Sequence, residues 1–426
     1  MAIDTSLKGL LRNLMGPRGM QRLWGNTADD DPVGLSHTLL TARGQASGVA
    51  IADRVLSLIE ALDDAGIAAY FAALRDDFEV DLDAVLAAAE RAREDGAALK
   101  ALQLAAEPPR QELFRRLNAA PRGTARLVEV RARLLTALRT DPTLAPIDSD
   151  LRHLLRSWFN RGFLVPTRID WHSPADLLEK IIAYEAVHAI DTWDALRQRL
   201  VPSDRRCFAF FHPAMPNEPL IFVEVALTKG LAGSIQDVLA SSRDVLAAED
   251  TDSAIFYSIS NCQAGLAGIS FGAFLIKQVA SDLQAELPNL RTFSTLSPIP
   301  GFAAWAKTHD ITPQAAAVYL AEAKDTAGKP LDPVAKFHLG NGAELHRINK
   351  GADLSPKGIA QSHGMMVNYL YELDQVEARH EAFAATGELA LSRAVRQALG
   401  RPRPWMQDRP IDQADERRAD DDQPSL

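Results

Sequence analysis

Two cysteines, Cys207 and Cys262, are all the thiols in 426 residues. That scarcity excludes a disulfide scaffold and a cysteine-built structural zinc site, and it points to a reducing compartment. The chain has no uninterrupted apolar run near the roughly 18–20 residues a membrane-spanning helix needs. Its first residues, Met1 to Gly16, carry Lys8 and Arg12 but no sustained apolar stretch before a cleavage site, so no secretory leader is expected. Pro424-Ser425-Leu426 matches no anchor or address signal. An excess of basic charge is missing too. With 46 Lys and Arg against 56 Asp and Glu, the net charge is −10, which disfavours a nucleic-acid surface and leaves at most a local basic pocket. The expectation is a cytoplasmic protein with neither membrane nor nucleic acid among its partners.

What is present divides by texture. At 47% hydrophobic and 24% charged residues the composition is that of a globular chain of two or three domains. Residues 1–151 are rich in Ala, Leu, Arg and acids, all suited to helix. Val55, Leu56, Ile59 and Leu62 form one stripe at helical spacing, Leu82, Val85, Leu86 and Ala89 a second, and Leu127, Val130, Leu134 and Leu138 a third. This predicts an all-helical domain, suited to packing or oligomerisation. After Pro146 aromatics and β-branched runs appear. Cys207–Phe211 and Pro219–Leu227 read as a hairpin, Ala254–Ser260 as a further strand and Thr292–Ser297 as a short one. Helices are expected over 270–283 and 362–373. The predicted domains are thus an N-terminal helical one, 1–151, and an α/β one, 152–399, making an α+β multidomain chain, with 400–426 a disordered tail.

The strand ending near Ser260 runs through Gln263-Ala-Gly-Leu-Ala-Gly268 into a helix. Glycines there allow close backbone approach, and a helix N-terminus favours anions. Without a following Gly-Lys-Ser/Thr this is not a P-loop, and without Gly-x-Gly-x-x-Gly it is not a dinucleotide fingerprint. It is similar to the coenzyme A pyrophosphate loop of the acetyltransferase-like (GNAT) fold, Gln/Arg-x-x-Gly-x-Gly/Ala. It departs from that pattern in carrying Gly265 one place early and Leu266 where a glycine is usual.

The loop stands among further motifs: Trp171-His-Ser-Pro174, Tyr184-Glu-Ala-Val-His188, Tyr257-Ser-Ile-Ser260, Gly272–Lys277, Phe293-Ser-Thr-Leu-Ser-Pro-Ile-Pro-Gly-Phe302, Phe337-His-Leu-Gly-Asn-Gly-Ala343 and Arg347-Ile-Asn349. Together, over Ser157 to Leu373, they resemble the malonyl-CoA decarboxylase family. The resemblance implies a GNAT-like α/β catalytic domain behind a helical one, and decarboxylation of malonyl-CoA to acetyl-CoA and CO2. It also implies no cofactor, with no metal or biotin (coenzyme A being part of the substrate), and a homo-oligomer, commonly a tetramer. It implies that His338 donates the proton, that Ser294 is the companion serine, and that Tyr371 lies in the active site. Ala264, Gly265, Leu266, Ala267, Gly268, Ile269 and Ser270 would bind the pyrophosphate of the substrate.

The chemistry fits those residue types. Loss of CO2 leaves an enolate, which needs preorganised donors and then a proton at the α-carbon. Ser297 competes with Ser294 for the serine's part. At an odd offset along a strand the two face opposite ways, unless the strand ends between them. Asn341 and Asn349 could supply amide donors, and Arg205, Arg206, Lys277, Lys350 and Lys357 could meet the 3′-phosphate. His172, His188, His346 and His363 form no metal-ligand spacing. Cys262, near a helix start, reads as a small buried thiol, with a redox role as the alternative. A GNAT-type acyltransferase and a non-catalytic coenzyme A-binding scaffold are the rival functions.

Overall fold

The computed structural model describes residues 31–269 and 272–401. The tail expected from residue 400 therefore lies, from residue 402 onward, outside the described residues, as does Ser270. The described residues divide into two compact units, one of residues 31–160 with Gln263–Ile269, the other of 161–262 with 272–401.

The first unit is helical: α1 (Pro32–Thr41), α2 (Gln45–Ala61), α3 (Asp64–Asp76), α4 (Leu82–Glu94), α5 (Leu99–Ala105), α6 (Pro109–Asn118), α7 (Gly123–Ala137) and α8 (Ala145–Trp158). Asp31, Asp63 and Asp81 cap α1, α3 and α4 by accepting N–H bonds in the first turn. The stripes read from the sequence meet in one core: Val55, Leu56 and Ile59 pack with Phe71, Leu74, Leu113, Phe114, Leu127, Val130 and Leu134. Two expectations change. The domain boundary at 151/152 falls inside α8, because Leu151, Leu154 and Leu155 continue its buried face. The stripe on α4 is not buried, since Leu82 is 64% and Leu86 55% exposed.

The loop Gln263–Ile269 belongs to this unit, not to the sheet that precedes it. Arg131 of α7, itself paired with Asp148, donates to the carbonyls of Gly265 at 2.7 Å and Ala267 at 2.9 Å. A Cβ on Gly265 would lie 1.8 Å from the Val128 carbonyl oxygen, so this glycine is required by close backbone packing on α7. Gly265→Ala is expected to destabilise by about 1–3 kcal/mol through overpacking, read as a lower midpoint of denaturation. An unchanged midpoint would mean that the loop's seat on α7 is not rigid.

The second unit is a sheet covered by helices. Its strands are β1 (Val165–Ile169), β2 (Arg205–Phe211), β3 (Ile221–Thr228), β4 (Ser253–Asn261), β5 (Thr292–Thr295), β6 (Ser297–Pro298), β7 (Glu344–Asn349) and β8 (Met366–Tyr371). Its helices are α9 (Ala175–Tyr184), α10 (Trp193–Leu200), α11 (Ile235–Leu239), α12 (Gly272–Glu286), α13 (Phe302–Trp305), α14 (Pro313–Glu322), α15 (Pro333–Gly340), α16 (Pro356–Ser362), α17 (Val376–Thr386) and α18 (Arg393–Leu399). Strands β1 to β4 pair antiparallel in order, with the β2–β3 hairpin as read from the sequence. Then β4 pairs β5 parallel, and this pairing stops at Phe256 opposite Thr295. Beyond that point the chain continues as β6 and pairs with β8. The ladder between the later residues of β4 and β6 is therefore open.

The helix expected over 362–373 is a strand. Only Ser362 is helical, and Met366–Tyr371 forms β8, bonded to β5 and β6 along one edge and to β7 along the other. Val367, Tyr369 and Tyr371 at alternate positions suit a doubly paired, buried strand, and sheet pairing decides what local spacing left open.

Candidate active site

The opening between β4 and β6 is a cavity of about 240 Å3, lined by Phe256, Ile259 and Asn261 of β4, Ser297 of β6, and Phe337 and His338 of α15. Each side chain is placed by a local rule. A break at Leu296, whose N–H bonds to the Phe256 carbonyl, separates β5 from β6 and turns Ser297 inward. Helix α15 begins at Asp332-Pro333, a capped start with proline in the first turn, and carries His338 in its last turn, 3% exposed.

Three residues meet there. Ser297 Oγ lies 3.1 Å from His338 Nε2, and His338 Nδ1 lies 2.8 Å from the Tyr371 hydroxyl. Ser297 donates its own proton to Thr295 Oγ1 at 2.8 Å, and Thr295 Oγ1 also accepts the Tyr369 N–H. With the serine proton so used, the network assigns Nε2–H to the imidazole, donating to Ser297, with Nδ1 accepting from Tyr371. Burial pushes the His338 pKa down to about 3, so the ring is neutral near pH 7. Burial also holds the Tyr371 phenol well above its usual range. The Tyr369 ring stacks on His338 at 4.6 Å.

The sequence expectations sort as follows. His338 and Tyr371 come together. Ser294 does not join them: its hydroxyl donates to the Tyr369 carbonyl at 3.0 Å and to that of Thr295 at 3.2 Å, wholly buried. The strand ends between the two serines, and Ser297, the competitor, is the one that reaches the imidazole.

Among residues 264–269 the outward-pointing amides are fewer than expected. The N–H groups of Leu266, Ala267 and Ile269 bond to carbonyls within the turn, and Gly265 and Leu266 are buried. Gly268 is left-handed at φ 73°, with open space where a Cβ would stand.

Among the basic candidates, Arg205 is buried against Asp204 and the Val238 carbonyl, and Arg206 pairs with Glu286. Lys277 pairs with Glu377, and Lys357 donates to the Ala186 carbonyl. Asn349 donates to Asn368, whereas the buried Asn341 Nδ2 has no hydrogen-bond partner. Both thiols are buried, with pKa values raised by desolvation, which removes the redox reading of Cys262. Among the described residues no group of three His, Cys, Asp or Glu is placed to hold a metal.

Thr295, Tyr369 and Asp332 were missed by sequence reasoning. Only Asp332 left a local trace, an N-cap acid before proline.

A mixed sheet opened beside a buried Ser–His–Tyr network, with an imidazole between two hydroxyls in a cavity wall, defines a candidate enzyme active site. Comparison with known proteins narrows it. Residues 78–159 match the malonyl-CoA decarboxylase N-terminal domain, and residues 162–313 and 309–409 the C-terminal domain. The mitochondrial malonyl-CoA decarboxylase of the goose Anser anser anser is 37% identical, over 73% of this chain and 74% of its own length. That of Mus musculus is 34% identical, over 73% and 76%. The crystal structure of malonyl-CoA decarboxylase from Rhodopseudomonas palustris matches with a TM-score of 0.83 at 50% identity, covering 86% of this chain and 99% of that one. The Agrobacterium vitis enzyme matches with a TM-score of 0.83 at 47% identity, covering 87% and 100%. The chain belongs to the malonyl-CoA decarboxylase family.

Proposed function

We propose that this protein converts malonyl-CoA to acetyl-CoA and CO2. The observation that carries the reading is the neutral His338, held between Ser297 and Tyr371 in the wall of a small, largely apolar cavity. The bond from the α-carbon to the carboxylate breaks, CO2 leaves, and the electron pair passes into an enolate shared with the thioester oxygen. An apolar wall disfavours the charged carboxylate more than the spread charge of the transition state. On substrate binding the Ser297 O–H, which otherwise donates to Thr295, and the His338 Nε2–H, which otherwise donates to Ser297, turn to the developing oxyanion. The Nε2 proton then passes to the α-carbon while Nδ1 takes the proton of Tyr371; once acetyl-CoA has left, Nε2 takes a proton from solvent through the cavity and Nδ1 returns its proton to Tyr371, which restores the starting tautomer. The ring changes tautomer and never needs to become an imidazolium, in keeping with its low proton affinity.

No metal, biotin or other cofactor is needed in this scheme. The loop of residues 264–270 is the proposed seat of the pyrophosphate, with Ala264 and Gly268 its exposed described residues. The compartment we propose is the cytoplasm; among the described residues no helix is long and apolar enough to cross a membrane. We further propose a homotetramer built through the helical unit, a reading supported by the exposed Leu82, Leu86, Leu99 and Leu104 of α4 and α5.

The test is mass-spectrometric detection of acetyl-CoA from malonyl-CoA with a chelator present and no ATP or biotin, alongside light scattering for the oligomer. Turnover is expected under these conditions. Acetyl transfer from acetyl-CoA to an added amine without release of CO2 would favour an acyltransferase. Binding without turnover would leave a scaffold.

A further inference from the structure

The helix that carries His338 starts at a carboxylate in an unusual setting. Asp332 Oδ1 accepts the Ala335 N–H at 2.8 Å and so caps α15. Caps normally sit at the surface, where water shares the charge, but Asp332 is 0% exposed. Among the described residues no ion pair is formed with it; the Tyr319 hydroxyl and the N–H groups of Gly301 and Val334 also approach the carboxylate, but Oδ2 makes no hydrogen bond of ordinary geometry. A buried carboxylate without a cation is costly, and a serine or asparagine would cap as well. The charge itself therefore calls for an explanation.

The surroundings tie it to the site. Tyr319 of α14, Tyr369 of β8 and the Gly301 N–H face the carboxylate. Gly301 makes room for this arrangement, since a Cβ there would lie 2.1 Å from the Tyr319 hydroxyl. The Tyr369 hydroxyl is also without a hydrogen bond, and its ring is the one stacked on His338. The first turn of α15 supplies Pro333 and Val334 to the cavity wall, and its last turn supplies His338. Any shift of that first turn moves both.

We propose that Asp332 is a positioning residue: its ionised carboxylate fixes the first turn of α15 through the cap and the helix dipole, and its protonation loosens that turn and displaces His338 from Ser297 and Tyr371. The groups that face it are Tyr319 and Tyr369 from neighbouring elements, with His338 further along its own helix. Burial, opposed by the cap N–H bonds, raises the Asp332 pKa to about 6. His338 titrates at about 3, and burial pushes both tyrosines upward. Across weakly acidic pH, Asp332 is therefore the member of this set that changes charge.

The inference rests on the decarboxylase reading, and its test separates the two. For the wild type, kcat on malonyl-CoA is expected to fall as pH drops through the Asp332 pKa and to level off severalfold lower, near the rate of the neutral-cap variant, with KM little changed. Asp332→Asn, which keeps a neutral cap, is expected to lose that acid limb between pH 5 and 8 and to run severalfold slower at pH 7. An acid limb in Asp332→Asn identical to the wild type's would overturn the proposal, as would a flat wild-type profile. Asp332→Ser is the second variant should the amide fail to fold. Carboxyl and imidazole NMR of the wild type gives a readout independent of turnover. The His338 ring signals are expected to shift with the Asp332 titration, and independence of the two would sink the proposal. Absence of turnover at every pH, with that linkage intact, would count against the decarboxylase reading alone.

Discussion

His338→Ala is expected to lower kcat by about 10²–10⁴-fold while leaving KM for malonyl-CoA within a few-fold. Two properties of this imidazole combine in the prediction. Its Nε2–H points at Ser297 in the cavity wall, and its Nδ1 sits 2.8 Å from the Tyr371 hydroxyl, so one ring both donates and is resupplied. No other side chain offers that exchange of tautomers. His338→Gln fills most of the volume and separates loss of chemistry from loss of packing: it is expected to fold like the wild type and to be nearly as slow as the alanine variant. A wild-type rate in the glutamine variant would remove His338 from the mechanism. The low proton affinity of the ring adds a pH signature. Acidification from pH 8 to 6.5 is not expected to raise kcat, as it would if an imidazolium were the working acid.

The two serines are expected to part company. Ser297→Ala removes a donor beside the imidazole and frees Thr295 from its bond, and is expected to lower kcat by about 10²-fold. Ser294→Ala is expected to leave kcat within a few-fold and instead to lower stability by about 1 kcal/mol, the net worth of a typical internal hydrogen bond, here the one to the Tyr369 carbonyl. Steady-state kinetics and thermal melts on the two variants decide it. The opposite pattern, a dead Ser294→Ala and an active Ser297→Ala, would return the serine's part to the residue that motif resemblance favoured.

That contrast shows where legibility stopped. The motif Phe293-Ser-Thr-Leu-Ser297 located the serine's neighbourhood, but which hydroxyl faces the imidazole depends on a break in strand pairing at Leu296. That break is fixed by partners about 40 residues away in sequence in β4 and about 70 away in β8. Gly265 is a similar case. Its presence in a loop between strand and helix suggested a phosphate cradle, whereas its lack of a side chain is required by the Val128 carbonyl of α7. Asp332 could be read as a cap from Asp-Pro alone, but its burial and unbonded oxygen could not.

Family resemblance, not spacing, pointed to His338 and Tyr371. Local physics in the sequence determined the helical stripes of α2 and α7, the β2–β3 hairpin and the absence of a disulfide framework. Each of these depends on residue type and short spacing, so it is written along the chain. The tertiary structure decided that Met366–Tyr371 is a strand, that Ser297 rather than Ser294 meets His338, and that the ring is a neutral donor. Sheet register, burial and hydrogen-bond direction are set by partners distant in sequence, and they exist only once the chain has folded.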